Sequence, residues 1–531
     1  MPDVKTAKER MGEAADLLVN AQALVEKYAK FAAEAKSVQL LIDPLPPKTD
    51  TIVGKQREEI DTAMEKAKEH AGKHEHPQAL ALLAEIRTKC AAAKTLKADE
   101  LKYTTRLGEV KLKVDPLVTA ADPKIATEVT ALNLKFTEAQ TQATNKKYTE
   151  ALESLEKTAV LCKAAEIKAK VAGNTKPTKA EMEDLMKLPG GTKMLDDVIN
   201  GLPAKSVNQE VLAAALETRF KVSLTQYVAK VETPVLTDKT KPNKSVQKIY
   251  ELLSRVPDSQ GKDNEKLANI IHYKSNDGGA DYGSGDVSLY CGRAGKGKDG
   301  KLKSIDYNNQ TKPGSAKFKQ YFPDNDDGTC GVDENCQQAN DDEMPYFDWA
   351  TLHEVGHAVD DKAGFMRRKA SGAEFGGWTD YAGDVTPVAK AAAKKFNFDA
   401  EDYIARYLTD ESPNPIPALP GGTDPRDQNA WDQDRAKVEA WCNAIRVSQN
   451  LWWNGAQSKL RAIDGKVYQE CYAGRWVSYN LDARKQGIHG YQFRAPGEWF
   501  AEIYAAYYCE KLKPEHPACS WLAKLERPDQ V

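Results

Sequence analysis

The stretch His353-Glu354-Val355-Gly356-His357 decides how this 531-residue chain arranges its chemistry. In a helix, residues four apart lie on one face, so His353 and His357 direct both imidazoles to a single point. Two imidazoles there suit a zinc ion, and Glu354 beside them can take a proton from a water that zinc acidifies to a pKa of about 7. The pattern is typical of a zinc-dependent peptidase. It is rarely accidental here, because the chain has only 8 histidines.

The residues around this motif predict a buried helix. Pro345 can supply the first position of the helix, and Gly364 can end it in the left-handed conformation. Between them, apolar side chains recur at the three- and four-residue spacing of one helix face. These side chains are Phe347, Trp349, Leu352, Val355 and Val359.

A catalytic zinc needs a third protein ligand, and Glu498 is the best candidate in the sequence. Pro496 can open a helix in which Glu498 and Glu502 lie four residues apart on one face. Many neighbouring residues are aromatic, such as Trp499-Phe500 and Tyr507-Tyr508, which favours a buried helix. Buried carboxylates need a metal, an opposite charge or hydrogen bonds. The alternative is a pair of solvated glutamates on a surface helix.

These two segments resemble the lethal-factor-like zinc peptidases, a family typified by anthrax lethal factor and more distantly by the Pro-Pro endopeptidases. The stretch His353 to Asp361 reads H-E-V-G-H-A-V-D-D, similar to the active-site helix of that family. Glu498 to Glu502 is similar to the family's second metal helix, and Tyr491 falls where the family keeps a tyrosine. The resemblance covers only the C-terminal catalytic region and implies a zincin-like domain there.

The resemblance also implies a role for each matching residue. Glu354 would be the general base and acid, and Tyr491 would donate a hydrogen bond to the negative charge of the tetrahedral intermediate. Glu502, with Asp360 as a weaker candidate, would orient a ligating imidazole from outside the ligand set. Asp360 has the equal alternative of a solvated charge at the helix end. The zinc (Zn2+) ligands implied are His353, His357 and Glu498.

The connection between the two metal helices departs from the family, because about 140 residues separate His357 from Glu498. The family has a much shorter connection, so we expect an insertion at about residues 379–480. This segment is rich in tryptophan, which more often builds a core than binds a ligand. The insertion leaves another third ligand open, since some zinc peptidases use an aspartate soon after the helix. Asp380 and Asp384 are the candidates for that position.

Upstream of the motif, two short runs predict a small sheet. Residues 270–273 and 287–290 are rich in β-branched and aromatic side chains and are separated by glycine-rich sequence. Gly283-Ser284-Gly285 predicts a turn rather than a phosphate loop, because no helix-forming phosphate motif follows it. A sheet edge beside the metal would let an extended substrate add as a further strand.

The N-terminal region, residues 1–172, predicts amphipathic helices and contains a repeat of 72 residues. Asp43-Pro44-Leu45 recurs as Asp115-Pro116-Leu117, and Cys90 recurs as Cys162. We expect two copies of a helical hairpin, each with a proline-containing loop, in an elongated bundle. A helical connecting subdomain is expected at residues 173–234, followed by the peptidase domain at residues 235–531.

Composition excludes several classes of protein. The formal net charge is −3 with 29% charged residues, which does not favour nucleic-acid binding. No run of about 20 apolar residues predicts a membrane span, and no basic-then-apolar leader predicts an ordinary signal peptide. Two cysteine pairs, Cys330 with Cys336 and Cys509 with Cys519, are close enough for local disulfides, with free buried thiols as the alternative.

The expected fold is therefore α+β and mainly helical, with a helical-hairpin bundle followed by a zincin-like domain containing a small sheet. The expected function is a zinc endopeptidase that acts on a protein or peptide substrate. Possible disulfides and the absence of a leader favour a toxin exported by specialised secretion, with a secretion component or an immunity protein as partner. The alternatives are a cytoplasmic peptidase with a helical adaptor and a binding protein with an inactive peptidase domain.

Overall fold

The computed structural model describes residues 4–173, 175–202, 209–227, 246–273, 278–291, 346–410, 416–417, 425–446, 455–472, 474–488, 490–510 and 512–525. These residues form two compact units. One comprises Met1–Ala169 and Asp184–Leu195, and the other comprises Lys170–Glu183 and Asp196–Val531. The chain is mainly helical with two small sheets, which confirms the expected α+β class at that level.

The first unit is built from long helices that follow the 72-residue repeat. Helix α4 begins 72 residues after α2 begins and ends 72 residues after α2 ends. Helix α5 likewise begins 72 residues after α3 begins. The helices bury mostly alanine, leucine, isoleucine and valine, as expected for close helix packing. Their bounds are α1 Val4–Ile42, α2 Gly54–Gly72, α3 His76–Ala120, α4 Ala126–Thr144 and α5 Tyr148–Ala172.

We expected a proline-containing loop in each repeat, at Pro44 in the first and at the equivalent Pro116 in the second. The second of these positions is wrong. Pro44 lies in the turn after α1, but the equivalent Pro116 lies inside α3. Helix α3 continues to Ala120 and ends at Ala121, which adopts the left-handed conformation with φ of 47°. The chain then turns at Pro123, in a short 3-10 helix where Asp122 accepts the Lys124 backbone N–H. The second loop therefore begins several residues later than the sequence repeat indicates.

A four-stranded sheet in the second unit has the order β1-β2-β4-β3. Strands β1, β2 and β4 are parallel, and β3 is an antiparallel edge strand. The two runs predicted as strands are β2 and β4, so that prediction is confirmed. Ser284 and Gly285 both have positive φ in the turn between β3 and β4, as a two-residue type I′ hairpin requires. The bounds are β1 Ser223–Tyr227, β2 Asn269–Tyr273, β3 Gly278–Gly283 and β4 Asp286–Cys291.

Strand β1 lies in the segment that we expected to be a purely helical connection. Ser223-Leu224-Thr225-Gln226-Tyr227 is a short run that includes the β-prone residues Thr225 and Tyr227. It pairs in parallel with β2, so residues before 235 belong to the same sheet as the predicted catalytic region. The helices around it are α6 Lys179–Met186, α7 Gly191–Asn200, α8 Gln209–Phe220 and α9 Val246–Ser254.

The histidine motif lies on α10, Tyr346–Ala363, which packs against β3 and β4 and against the later helix α16, Pro496–Tyr508. The predicted end of α10 is confirmed, because Gly364 has φ of 55° and begins the short helix α11, Phe365–Lys369. Gly356 lets the two helices approach closely. A Cβ there would lie 3.1 Å from the Ala501 Cα, so any larger side chain would push α16 away.

The segment at about residues 379–480 folds around its own antiparallel sheet, with the order β5-β8-β7-β6. Val388, Ile404, Trp441 and Trp476 belong to its hydrophobic core, so these tryptophans pack as predicted. Its last strand leads the chain back toward the start of α16. The bounds are β5 Thr379–Ala382, α12 Thr386–Phe396, α13 Glu401–Thr409, α14 Pro425–Ile445, α15 Gly455–Arg461, β6 Ala462–Ile463, β7 Lys466–Tyr472 and β8 Arg475–Asn480.

Cys509 and Cys519, on either side of the start of the last helix α17, Ala518–Leu525, are separate free thiols. The local disulfide between them, one of the two alternatives, is not formed. Cys330 and Cys336 lie outside the described residues. Among the helices that the structure describes, none combines the length and the apolar character needed to cross a membrane.

Candidate functional site

Helices α10 and α16 bring three side chains from distant parts of the chain to one point. His353 Nε2 lies 3.1 Å from His357 Nε2 and 3.1 Å from Glu498 Oε2. The third side of this triangle, from His357 Nε2 to Glu498 Oε2, measures 3.4 Å. His353 and Glu498 are buried, while His357 is partly open to solvent.

These separations fit the three corners that protein ligands occupy around a tetrahedral zinc ion. Nitrogen and oxygen ligands about 2.0–2.1 Å from zinc lie about 3.3 Å from one another in tetrahedral geometry. The three atoms of His353, His357 and Glu498 are spaced at 3.1–3.4 Å. The triangle could therefore hold a zinc ion with a fourth position left for water or substrate. The donor set of two imidazoles and one carboxylate is also chemically suited to zinc.

Glu502 holds His353 from behind the triangle. Its Oε1 lies 3.0 Å from His353 Nδ1, on the side of the ring away from Glu498. Its other oxygen, Oε2, accepts a hydrogen bond from Trp349 Nε1 at 2.7 Å. Such a carboxylate fixes the ring orientation and the tautomer that leaves Nε2 available to a metal. The structure thus places Glu502 where the resemblance implied. Trp349, which completes this arrangement, was anticipated only as a core residue.

Glu354 lies beside the two imidazoles with 5% of its surface exposed. One of its oxygens, one nitrogen of His353 and one of His357 all lie within 4.8 Å of one another. Glu498 completes the ligand triangle better than Glu354, because its Oε2 is nearer to both Nε2 atoms. Burial raises the pKa of Glu354 to about 7, although both histidines act against the shift. A carboxylate with a pKa near neutrality is well matched to accepting and returning a proton.

The charges at the site shift the pKa values of its other members in opposite directions. Burial lowers the pKa of His353, but the carboxylates of Glu502, Glu354 and Glu498 outweigh it and raise that pKa well above 6.5. Burial raises the pKa of Glu498, but His353 and His357 outweigh it and hold that pKa well below 4.5. Without a metal, the site therefore keeps a proton on His353 and a negative charge on Glu498.

Tyr491 lies in a short 3-10 helix, Gly490–Phe493, just before α16. Its hydroxyl donates to Glu498 Oε1 at 3.2 Å and accepts a hydrogen bond from Arg494 Nη1 at 2.9 Å. Burial, together with the charge of Glu498, raises the pKa of Tyr491, so the phenol keeps its proton and can donate it in a hydrogen bond. Arg494 was not anticipated from the sequence. The only feature of the sequence that could have indicated this contact is the position of Arg494, three residues after Tyr491.

The insertion fixes this loop through Gln469 on β7, a buried residue that sequence analysis also missed. Its Nε2 donates to the backbone oxygen of Phe493 at 2.6 Å and to that of Arg494 at 3.3 Å. Its Oε1 accepts from Arg461 Nη1 at 2.8 Å, which holds the amide in this orientation. The insertion thus contributes a contact that positions Tyr491 although it supplies none of the three ligands.

Three aspartates considered in the sequence make other contacts. Asp360 Oδ1 accepts the Met366 backbone N–H at 2.7 Å, and burial raises the pKa of this carboxyl group. Its other oxygen and the His357 ring both lie within 4 Å of the position that a Cβ on Gly497 would occupy. Asp380 forms an ion pair with Arg475, and Asp384 accepts the Thr386 backbone N–H at the start of α12. The structure brings Glu498, and neither Asp380 nor Asp384, to the imidazoles.

A cleft of 740 Å³ opens beside His357 and Glu498, between α10, α11, β5 and the start of α16. A smaller cavity of 300 Å³ adjoins His357 on the side of the edge strand β3. There the Tyr282 ring stacks on His357 with centroids 6.4 Å apart, and its hydroxyl donates to Asp361 at 2.9 Å. Arg367 lines both cavities. The site therefore has room for a ligand on both sides of His357.

Comparisons of the chain with known protein families, with curated proteins and with solved structures give no match. The resemblance to lethal-factor-like peptidases therefore depends on the two metal helices and Tyr491 alone.

Proposed function

We propose that this chain is a zinc-dependent endopeptidase whose active site lies between α10 and α16. The observation that carries the proposal is the triangle of His353 Nε2, His357 Nε2 and Glu498 Oε2, with sides of 3.1–3.4 Å. Two further features support it. Glu354 is buried beside the triangle with a pKa near neutrality, and Glu502 orients His353 from behind. Zinc peptidases require these three kinds of group together.

When bound at this triangle, zinc would acidify a water molecule and polarise the scissile carbonyl. Glu354 accepts the proton of the attacking water and returns it to the leaving amine, because its pKa of about 7 allows both protonation states at neutral pH. Tyr491 turns its hydroxyl from Glu498 toward the carbonyl oxygen as negative charge develops there. Arg494 holds this phenol in place and favours the negative charge near it.

The substrate is proposed to lie extended along β3, across the metal position. Strand β3 pairs with β4 on one side only among the described strands, so its other edge offers backbone donors and acceptors. Tyr282 of this strand stacks on His357, which supports a substrate position along this strand beside the proposed metal ligands. A substrate bound as an added strand is recognised mainly through its backbone, with alternate side chains entering pockets. The role as an exported effector stays a prediction from the sequence.

The proposal is tested with the full chain, its Glu354→Gln variant and a matched control, Glu374→Gln, at an exposed position away from the site. We expect one zinc per chain in all three proteins, measured by elemental analysis after dialysis. Peptide libraries followed by mass spectrometry should show internal cleavage by the wild type and the control. Cleavage by Glu354→Gln should be at least about 100-fold slower, the usual contribution of a general base.

Two results would contradict the proposal. A wild-type protein that takes up no zinc under these conditions lacks the predicted metal centre. A zinc-loaded wild type that cleaves no member of the library, or a Glu354→Gln variant as active as the control, favours the binding protein with an inactive peptidase domain.

A further inference from the structure

The helices of the first unit bury the same stripe of positions in both repeats. In the first half of α3, six residues follow one another at alternating spacings of three and four. Each of them has at most 3% of its surface exposed. These are His76, Ala79, Leu83, Ile86, Cys90 and Ala93. The six equivalent residues of α5, which lie 72 positions later, are also buried, and each has at most 5% of its surface exposed. These are Tyr148, Ala151, Leu155, Thr158, Cys162 and Ala165.

A third copy of this stripe lies in the first half of α1 and is exposed. The positions 72 residues before those of α3 are Val4, Ala7, Met11, Ala14, Leu18 and Ala21. The large members Val4, Met11 and Leu18 are 78%, 74% and 64% exposed. The same spacing continues to Val25, which is 67% exposed, and to Tyr28, which is 57% exposed and whose ring also lies edge-on to His76 of α3 with centroids 6.2 Å apart. A stripe of this spacing over three to four heptads is typical of a helix that packs along another helix.

The two covered copies show what kind of element fits such a stripe. On α3 it packs with Ile60, Met64 and Ala67 of the preceding helix α2. On α5 it shares a core with Leu132, Phe136 and Ala139 of the preceding helix α4. In each case the cover includes an amphipathic helix that runs antiparallel to the stripe after a short turn, and on α3 the second half of α1 adds Phe31, Val38 and Ile42 to the same core. An antiparallel helix with large and small apolar residues in alternation would therefore fit α1 as well.

We propose that the exposed stripe of α1 pairs antiparallel with the same stripe of a second copy of this chain, forming a homodimer. Helices α2 and α4 already contribute their apolar faces to the cores of their own chain, so the helix that a second copy offers is α1. The stripe is self-complementary about a two-fold axis level with Asp16, as a symmetric dimer requires. Residues equally far from that position then face each other, which places Met11 opposite Ala21 and Leu18 opposite Ala14.

The same register also brings compatible side chains together at the two ends of the stripe and along its sides. Val25 faces Ala7, so each of the three inner layers pairs a large side chain with an alanine, which lets the two helices approach closely. Val4 faces Tyr28 at both ends. Of the basic residues that flank the stripe, Lys8 lies level with Leu24 and Arg10 with Gln22, so neither meets a like charge. The paired segment, residues 4–28, is about 37 Å long at 1.5 Å per residue.

The oligomeric state tests the proposal directly. Sedimentation equilibrium of the full chain at about 10 µM, well above the nanomolar range of tight complexes, should give twice the 58.6 kDa mass of one chain. Leu18→Glu places a charge from each copy near the centre of the apolar pairing, where it is costly to bury, and should give the mass of one chain. Val19→Glu is the matched control, because Val19 is 62% exposed but points away from the stripe, and it should remain dimeric. Circular dichroism should show that both variants are still folded and unfold cooperatively, since neither position is buried within one chain.

Cross-linking tests the register. Ala14→Cys combined with Leu18→Cys should give a disulfide-linked dimer under mild oxidation, because residue 14 of one copy faces residue 18 of the other. Leu18→Cys alone should stay unlinked, and the wild type reports any linkage by native cysteines. A monomeric wild type, a dimer that survives Leu18→Glu, or efficient linkage through Leu18→Cys alone would overturn the proposal. All of these measurements are independent of zinc and of peptidase activity.

Discussion

Replacing Glu502 by glutamine should weaken zinc binding although Glu502 is not a proposed ligand. In the wild type each carboxylate oxygen serves a different donor: Oε1 lies 3.0 Å from His353 Nδ1, and Oε2 accepts from Trp349 Nε1 at 2.7 Å. A glutamine has one oxygen and one NH2 group, so one of these two N–H groups would face another donor. Leaving a buried donor without this acceptor costs about 1–3 kcal/mol. Because Glu502 is 3% exposed, water cannot easily replace the lost acceptor.

We therefore expect Glu502→Gln to reduce zinc affinity by about 10- to 100-fold, the usual effect of losing a carboxylate behind a metal-bound histidine. This corresponds to about 1.4–2.7 kcal/mol at 25 °C. The affinity is measured by competition with a fluorescent zinc chelator at pH 7. The same samples are melted without metal to show that the variant folds. A second variant, Trp349→Phe, removes the competing donor and should change zinc affinity less than Glu502→Gln does.

The double variant is the decisive case. With Trp349 replaced by phenylalanine, the single side-chain oxygen of the glutamine introduced by Glu502→Gln is free to turn toward His353. The double variant should therefore bind zinc more tightly than Glu502→Gln alone. A coupling of this kind is expected for side chains that share one hydrogen-bond network. Unchanged zinc affinity in a folded Glu502→Gln protein, or losses that simply add in the double variant, would refute the reasoning.

Zinc binding to the metal-free protein should release a proton at pH 7, because nearby carboxylates hold the pKa of His353 well above 6.5 and a ligating imidazole must be neutral. Zinc affinity should therefore rise with pH until that pKa is passed, and calorimetric heats that do not depend on the buffer would contradict this. Gln469→Leu should lower kcat by up to about 100-fold through misplacement of Tyr491 while zinc affinity stays the same; a parallel loss of zinc would mean a wider structural defect. Arg367→Glu reverses a charge that lines both cavities beside His357 and should shift cleavage from acidic toward basic substrates in a peptide library. Lys369→Glu, an exposed control on the same short helix, should leave the preference unchanged.

The parts of the site that the sequence predicted are those with a local signal. His353 and His357 are four residues apart on one helix, and Glu498 and Glu502 are four apart on another, so helix periodicity alone gives each pair its common face. That these two faces meet across about 140 residues has no local signal, and the expectation depended on the resemblance to a peptidase family. The structure places the two pairs together, and the role of zinc there stays a proposal.

The contacts that sequence analysis missed join residues far apart in the chain. Trp349 and Glu502 are 153 residues apart, and Gln469 reaches the backbone of a loop 24 residues later. Each of these side chains has an ordinary structural explanation when its own segment is considered alone. Strand β1 was missed for a different reason, since a strand of five residues after a run of helices is too short to outweigh the helical pattern before it. The misplaced second proline loop shows that a sequence repeat does not fix where a helix ends.

The separation of α10 and α16 along the sequence has a consequence for synthesis of the chain. After the ribosome has completed α10, it must still synthesise the whole insertion before Glu498 is added. Until then, His353 and His357 have no carboxylate to complete the triangle. The insertion also contributes Gln469, whose side chain holds the turn that leads into α16. The proposed peptidase activity would therefore begin only when almost all of the protein has been made.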